Sequence, residues 1–140
     1  MNLEGRVIPP KGRRNPHWSV EIPLLEIYTQ GRSRNDAYRM ARDAVESLVN
    51  RKGFHVTVTP GKGNAFDVSA NDFPIFLAFV LARLRTGHRL STRQVAERLS
   101  STSPNAYARY ERGRAMPKLD TLLTLLRAIN PRLSLVLRTA

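Results

Sequence analysis

Cysteine is absent from the sequence, and both acidic residues and long hydrophobic runs are scarce. Without a thiol, the chain cannot form a disulfide, a cysteine-ligated zinc site, an iron–sulfur cluster or a thiol nucleophile. The longest apolar stretch, residues 73–82, is about half the length that crosses a bilayer. These absences exclude several classes of site and leave the charge balance as the main compositional signal.

Positive charge is what the sequence has in excess. It holds 23 Lys and Arg against 11 Asp and Glu, a net charge of +12 over 140 residues. Such an excess on a small chain favours a polyanionic partner: nucleic acid first, then an acidic membrane or an acidic protein. Arginine outnumbers lysine 19 to 4, so the alternative is an arginine-rich composition that is unrelated to binding.

The two halves of the sequence differ in their hydrophobic pattern. Up to about residue 70, short alternating segments separated by proline and glycine predict strands. After that point, apolar residues recur at spacings of three and four, which predicts helices. We therefore predict an α+β chain with two small domains, residues 1–70 and residues 71–140.

The first half is predicted to form a small, mainly antiparallel sheet with one helix on one face. The helix begins after Ser33, whose hydroxyl can cap it, and stops at Gly53. The turn residues 60–64 join the last two strands in a hairpin. Strands are predicted at residues 6–9, 18–22, 25–29, 54–58 and 66–70.

The second half is predicted to contain four short helices and a terminal strand. The first runs from the capping pair Asn71-Asp72 to Gly87, and the second opens with a capping box of Ser91 and Gln94. Ser103 followed by proline opens the third helix, and the fourth ends at Asn130. The alternation over residues 133–137 predicts a strand that would pair across a subunit interface.

The second and third predicted helices of this half, with the end of the first, carry a motif that is found in a known protein family. Leu84-Arg85 is followed by STRQVAERL at residues 91–99 and YARYERG at residues 107–113. Over residues 72–130 the chain resembles the lambda-repressor/Cro-like helix-turn-helix family, although Ser100-Ser101 replaces the usual glycine and adds one residue. The resemblance implies a DNA-binding domain.

Helix geometry then assigns roles within the third helix. Tyr107 and Tyr110 share a face and are expected to pack inward, while Glu111 is expected to brace the fold. Arg109 can pair with guanine and Asn105 with adenine. The candidates for base contact are Ser103, Pro104, Asn105, Ala108 and Arg109, and those for phosphate contact are Thr92, Arg93, Arg112, Arg114 and Lys118. The alternative is a helical module that docks on protein.

A second resemblance lies in the first half. A strand ending at Pro23 is followed by YTQGRS at residues 28–33 and by Asp36-Ala37, which resembles the HicB family of antitoxins. The resemblance implies a degenerate ribonuclease-H-like fold without catalysis, which covers the active surface of a small mRNA-cutting toxin, HicA. The DNA-binding half would then repress the shared operon.

Charge tests this second resemblance. Residues 1–70 hold 11 Lys and Arg against 7 Asp and Glu, so this half carries +4, while residues 71–140 hold 12 against 4 and carry +8. An RNA-binding toxin is expected to be basic, and two positive surfaces meet poorly. The acidic side chains that could still meet it are Glu21, Glu26, Asp36 and Glu46.

Together these observations predict a cytoplasmic, non-enzymatic, antitoxin-type repressor. We expect it to bind double-stranded operator DNA and a HicA-like toxin as a homodimer or higher oligomer, with no membrane, cofactor or metal. The alternatives are a stand-alone regulator whose first half binds a small ligand or another protein, and a ribonuclease-H-like nuclease. No motif brings three of the carboxylates together, and the three histidines lack ligand spacing.

Overall fold

The chain folds into two units, Met1–Phe76 and Leu77–Ala140, in a computed structural model that describes residues 1–100, 103–137 and 139. The unit boundary falls inside a helix, whereas the domain boundary predicted from the sequence lies just before that helix.

The first unit is a five-stranded antiparallel sheet with one long helix. The sheet order is β3-β2-β1-β5-β4, and every neighbouring pair is antiparallel. The α+β fold class is therefore confirmed, while the likeness to ribonuclease H stays a prediction. The bounds are β1 Leu3–Ile8, β2 Trp18–Ile22, β3 Ile27–Gly31, α1 Arg34–Val49, β4 Val56–Pro60 and β5 Ala65–Ala70.

Strand alternation separates the two faces of this sheet. Val7 lies opposite Val20, and Leu3 lies opposite Val68, and all four side chains are buried. They share the face against which α1 packs its own buried stripe of alanine and valine. The opposite face, which alternation makes polar, carries no helix of this unit.

The junction between β3 and α1 depends on close approach. A Cβ atom on Gly31 would lie 2.3 Å from the backbone nitrogen of Ala37, so only glycine fits there. Ser33 caps α1 as predicted, since its hydroxyl accepts from the Asp36 N–H at 3.1 Å. The predicted stop at Gly53 is too late, because Asn50 already takes the left-handed conformation that ends the helix.

The third predicted strand, residues 25–29, starts too early. Residues Pro23–Leu25 form a 3₁₀ turn, because proline fixes the backbone angle there and cannot donate to a ladder. Glu26 then takes a positive φ of 51° and redirects the chain into β3. The strand therefore begins two residues later than the sequence pattern predicts.

The second unit is built from helices that begin at the predicted caps. Ser91 and Gln94 form the complete capping box, and the Ser103 hydroxyl accepts from the Ala106 N–H at 3.2 Å. The bounds are α2 Phe73–Gly87, α3 Thr92–Arg98, α4 Pro104–Glu111 and α5 Leu119–Ile129, with α2 starting in the first unit. Of the described helices, none is long and apolar enough to cross a membrane.

The predicted terminal strand is wrong for the single chain. Residues Leu133–Leu137 form no strand, and Val136 and Leu137 are 72% and 100% exposed. Alternation of apolar residues predicts a strand only where a second strand offers backbone partners. In the described parts of this chain, no strand pairs with the segment.

Candidate nucleic-acid interface

Helix α4 presents one polar face to solvent. Asn105 and Arg109 are both exposed, and they lie one turn apart on the side opposite Tyr107, which is fully buried. Pro104 is exposed at the first position of the helix, and Ala108 is half-buried beside this face. The structure thus brings four of the five predicted base-contact residues onto or beside one accessible surface.

Ser103 is the fifth predicted base-contact residue, and it has a structural task. Its hydroxyl accepts the Ala106 N–H and so satisfies one of the free donors at the start of α4. Its exposed position still borders the helix N-terminus, where backbone N–H groups favour an anion.

A part-buried network fixes the inner side of α4. The hydroxyl of Tyr107 donates to Glu111 Oε1 at 2.5 Å. Arg85 from α2 donates to both carboxylate oxygens of Glu111, with Nε to Oε1 at 2.6 Å and Nη2 to Oε2 at 2.9 Å. The expectation that Glu111 braces the fold is confirmed.

The same arginine also binds the segment between α2 and α3. Its Nη1 donates to the carbonyl oxygen of Leu90 at 2.7 Å, so one guanidinium joins α2, the loop after it and α4. Its side chain is 17% exposed and that of Glu111 is 9% exposed, so the pair is shielded from water. A bidentate arginine–carboxylate pair in such surroundings fixes geometry as well as charge.

The network also acts on ionisation. Burial, and then the hydrogen bond to Glu111, raise the pKa of Tyr107 far above its usual value. The hydrogen bonds to Glu111 raise the pKa of Arg85. Both groups are therefore held in one protonation state at neutral pH, neutral for the phenol and charged for the guanidinium.

The turn before α4 contains the position at which serine replaces the glycine that is usual in the helix-turn-helix family. Ser100 takes a φ of 51°, the left-handed conformation for which glycine is favoured. A serine thus occupies the conformation that the helix-turn-helix family usually gives to glycine. The rest of the predicted turn, Ser101 and Thr102, lies outside the described residues.

The predicted phosphate contacts flank α4 at the ends of neighbouring helices. Thr92 is half-buried at the first position of α3, while Arg112 is exposed at the C-terminal cap of α4. Arg114 follows this cap, and its backbone N–H donates to the Arg109 carbonyl at 3.0 Å. Lys118 is exposed at the start of α5.

Arg93 is the remaining predicted phosphate contact. It donates to Glu97 at 3.1 Å, but both side chains are highly exposed, so water screens this pair strongly. A phosphate can replace such a carboxylate at little cost.

The four acidic residues predicted to meet a partner do not share one surface. Asp36 and Glu46 lie ten residues apart on α1, about 15 Å along its axis. Glu21 sits on β2 between two buried residues, which places it on the sheet face away from α1. Glu26 lies in the turn before β3.

Two of these carboxylates already have structural partners. The backbone N–H of Arg32 and the side chain of Arg39 lower the pKa of Asp36. Glu46 accepts the Val56 N–H at 2.7 Å and so ties α1 to β4. Both are part of the fold of the first unit.

Sequence reasoning missed the arginine that holds Glu111. Its signal was present, because Arg85 directly follows the apolar stripe of α2 and belongs to the quoted family motif. The pairing itself spans 26 residues, and no local pattern reports it. Among the described residues, no group of three histidine or carboxylate side chains could hold a metal ion.

Comparison with known proteins identifies the same region. Residues 77–130 match the family model of a helix-turn-helix domain, whereas searches of curated proteins and of solved structures found no match. No comparison matched the first unit, so its resemblance to HicB antitoxins stays a prediction. The second unit is similar to helix-turn-helix domains, and that similarity indicates a DNA-binding regulator.

Proposed function

We propose that this protein is an antitoxin-type transcriptional repressor. Its second unit binds double-stranded operator DNA, and its first unit binds a HicA-like toxin. The DNA-binding half is supported by the two sides of α4. Asn105 and Arg109 are exposed on one side, while Tyr107 and Glu111 on the other side are hydrogen-bonded to each other and anchor the helix to the unit. Rigid support of this kind lets side chains meet base edges in a fixed register.

Replacing both exposed side chains tests the DNA-binding half. Selection from a pool of random duplexes first defines the preferred sequence of the wild-type chain. The double variant Asn105→Ala/Arg109→Ala should then lose about 1–3 kcal/mol of discrimination for each side chain. Its affinity for duplexes of random sequence should fall much less, since phosphate contacts supply most of that affinity.

Arg132→Ala is the matched control, since it also removes one positive charge from an exposed site of the second unit. It should keep the sequence preference of the wild-type chain. If the preference survives in the double variant, α4 does not read bases in the proposed register. If the wild-type chain prefers no sequence, the repressor function itself is excluded.

The first unit offers one negatively charged surface for a basic partner. We call it the open sheet face, and it consists of Glu4, Arg6, Glu21, Tyr28 and Asp67. Strand register places Glu4 opposite Asp67 and Glu21 opposite both Arg6 and Tyr28, on the side away from α1. Three acids and one arginine give it −2 in a chain of +12. Complementary charge supports a basic toxin as the partner.

Capture of the toxin tests this half of the proposal. Co-expression with the product of the neighbouring gene should give a complex that Glu21→Lys weakens. Asp43→Lys on α1 makes the same charge change outside the open sheet face and should leave the complex intact. If the wild-type chain captures nothing, the antitoxin role is excluded. If both variants bind the toxin equally well, the open sheet face is excluded as the toxin site. The DNA-binding half stands in either case.

Assembly as a homodimer completes the proposal. A helix-turn-helix reads one half-site, so two copies are needed for a palindromic operator. Leu135, Val136 and Leu137 are exposed and apolar, and antiparallel pairing about Leu135 would place the leucines of both copies on one face. Sedimentation of the wild-type chain against Leu135→Asp tests this, and equal masses would exclude the pairing.

A further inference from the structure

Positive charge in the first unit is concentrated at one end of the sheet. Residues 1–76 hold 11 Lys and Arg against 8 Asp and Glu, a net charge of +3. Six of those basic residues and one acid, Asp36, lie at this end, which therefore carries +5, while the remainder carries −2. We call this end the basic tip, and its basic residues are Lys11, Arg13, Arg14, Arg32, Arg34 and Lys62.

Hydrogen bonds show that three separate segments meet at the basic tip. The Val7 N–H donates to the carbonyl of Asn64 at 2.9 Å, so the loop after β1 leaves the sheet beside the β4–β5 turn. Arg34, at the start of α1, donates to Asn64 Oδ1 at 2.9 Å and to the Gly63 carbonyl. Its guanidinium carbon lies 5.6 Å from the centre of the Trp18 ring at the start of β2. The sequence scatters these residues, and the fold collects them.

The outer side chains of the basic tip are available for a ligand. Lys11, Arg13, Arg14 and Lys62 are all exposed, and within the residues that the structure describes none forms an ion pair with a carboxylate. By contrast, Arg39 on α1 contacts two carboxylates of its own helix, Asp36 and Asp43. Unpaired basic residues raise the local potential that attracts a polyanion.

The surface chemistry of the basic tip favours nucleic acid over a membrane. Its two loops, residues 9–17 and 61–64, contain no exposed large hydrophobic side chain, and Trp18 next to them is half-buried under Arg34. Apolar groups that enter the headgroup region strengthen membrane-surface binding beyond the attraction of basic residues to anionic lipids. Arginine forks without such groups suit phosphate oxygens on a nucleic-acid backbone.

We propose that the basic tip is a second DNA-contacting surface, which binds the phosphate backbone of double-stranded DNA without reading its sequence. The proposal rests on the DNA-binding function proposed above. It gives the first unit a part in affinity, while the specificity stays with α4. Because one chain carries both surfaces, contact by either raises the effective concentration of the other at DNA.

Two matched double variants of the full chain test the proposal. Arg13→Gln/Arg14→Gln removes two charges from the basic tip, and Arg51→Gln/Lys52→Gln removes two exposed charges after α1, at the opposite end of the unit. The probe is a duplex of random sequence, titrated at several KCl concentrations. Each lost phosphate contact reduces the magnitude of the slope of log K against log salt by about 0.9. The slope of the tip variant should therefore be shallower than that of the wild type by nearly two, and the slope of the control should be unchanged.

The outcomes separate this proposal from the function on which it rests. Equal slopes in the tip variant and the control overturn the second surface, whatever the result for Asn105 and Arg109. A lower slope in the tip variant supports it even if α4 proves to read no sequence. The same titrations are repeated with anionic vesicles and with duplex RNA. If the tip variant has a shallower slope only with one of these two probes, and not with the DNA duplex, the assignment to DNA is overturned. Unchanged Trp18 fluorescence in both variants shows that the fold is intact.

Discussion

The two units carry positive charge in different ways. In the second unit, arginines flank a helix whose inner side is held by a part-buried polar network of Arg85, Tyr107 and Glu111. In the first unit, the core is apolar, and four exposed basic residues without an ion pair in the described part of the chain, Lys11, Arg13, Arg14 and Lys62, sit on turns at the basic tip. The first arrangement fixes side chains for recognition, and the second supplies charge without fixed direction.

This difference separates specificity from affinity within one chain. Base readout needs a helix whose orientation is fixed, because hydrogen bonds to base edges tolerate little displacement. Phosphate contact needs only accessible charge, and its strength depends on salt. Substitutions in the two units are therefore expected to affect different properties of the protein.

The largest effect is expected where backbone meets backbone in the first unit. In Gly31→Ala the new Cβ would lie 2.3 Å from the Ala37 nitrogen and 2.7 Å from its Cα, so α1 must move away from β3. We expect a loss of about 3 kcal/mol in the free energy of unfolding of this unit. Urea titration followed by fluorescence measures it, because the single tryptophan, Trp18, lies in β2 beside Gly31.

Gly61→Ala is the control for this change. Its Cβ would lie 3.3 Å from the Ala65 carbonyl oxygen, which a small shift of the turn relieves. Its loss should be well below that of Gly31→Ala. Equal losses for the two variants would show that the contact between β3 and α1 is not the tight point of the unit.

The next effect concerns the part-buried ion pair of Arg85 and Glu111 in the second unit. Glu111→Gln keeps the shape of the side chain but leaves the guanidinium of Arg85 shielded from water without a counter-charge. We expect this to cost about 2 kcal/mol, measured by urea titration with far-UV circular dichroism, which follows mainly the helices of this unit. The Trp18 transition of the first unit should change less.

Glu97→Gln provides the matched comparison. It removes the same charge from a pair with Arg93 in which both side chains are more than half exposed. A loss of at most about 0.5 kcal/mol is expected there. If Glu111→Gln proved as mild as this control, the network would not be what holds α4.

Local signals in the sequence predicted most of the secondary structure. Ser33, Ser91 and Ser103 all cap helices as expected, because a cap needs only the hydroxyl and the N–H groups two or three residues later. The strand predicted at residues 133–137 does not form in the single chain, because its completion depends on something outside the segment. A strand is completed by a partner, and alternation within one segment does not supply one.

Long-range pairing sets the same limit on the candidate sites. The exposed face of α4 follows from helical spacing alone, so Asn105 and Arg109 could be placed from the sequence. The pair of Arg85 with Glu111 spans 26 residues, and the contact of Arg34 with Asn64 spans 30. Neither separation follows from the repeat of a helix or a strand. The network around Glu111 and the basic tip can therefore be identified only from the folded structure.

The smallest expected effect is a loss of stability at alkaline pH that Tyr107 causes in the second unit and not in the first. The pKa of Tyr107 is raised by burial above its usual value near 10.0, so the fold of the second unit favours the neutral phenol. Its contribution is complete below the unfolded pKa and is lost as pH rises above it, by up to about 1.4 kcal/mol per pH unit. Tyr107→Phe should cost about 1 kcal/mol near neutral pH, from the lost bond to Glu111, and should remove this alkaline loss.

Urea titrations between about pH 8 and pH 11, followed by circular dichroism, measure the difference in slope between wild type and variant. Tyr28→Phe is the control, since Tyr28 is 67% exposed on the open sheet face and its removal should leave the slope of the helical transition unchanged. Parallel slopes for the wild type and Tyr107→Phe would contradict the buried-phenol argument. A steeper wild-type slope in the helical transition, with no matching change in the Trp18 transition, would locate the sensitivity in the unit that holds α4.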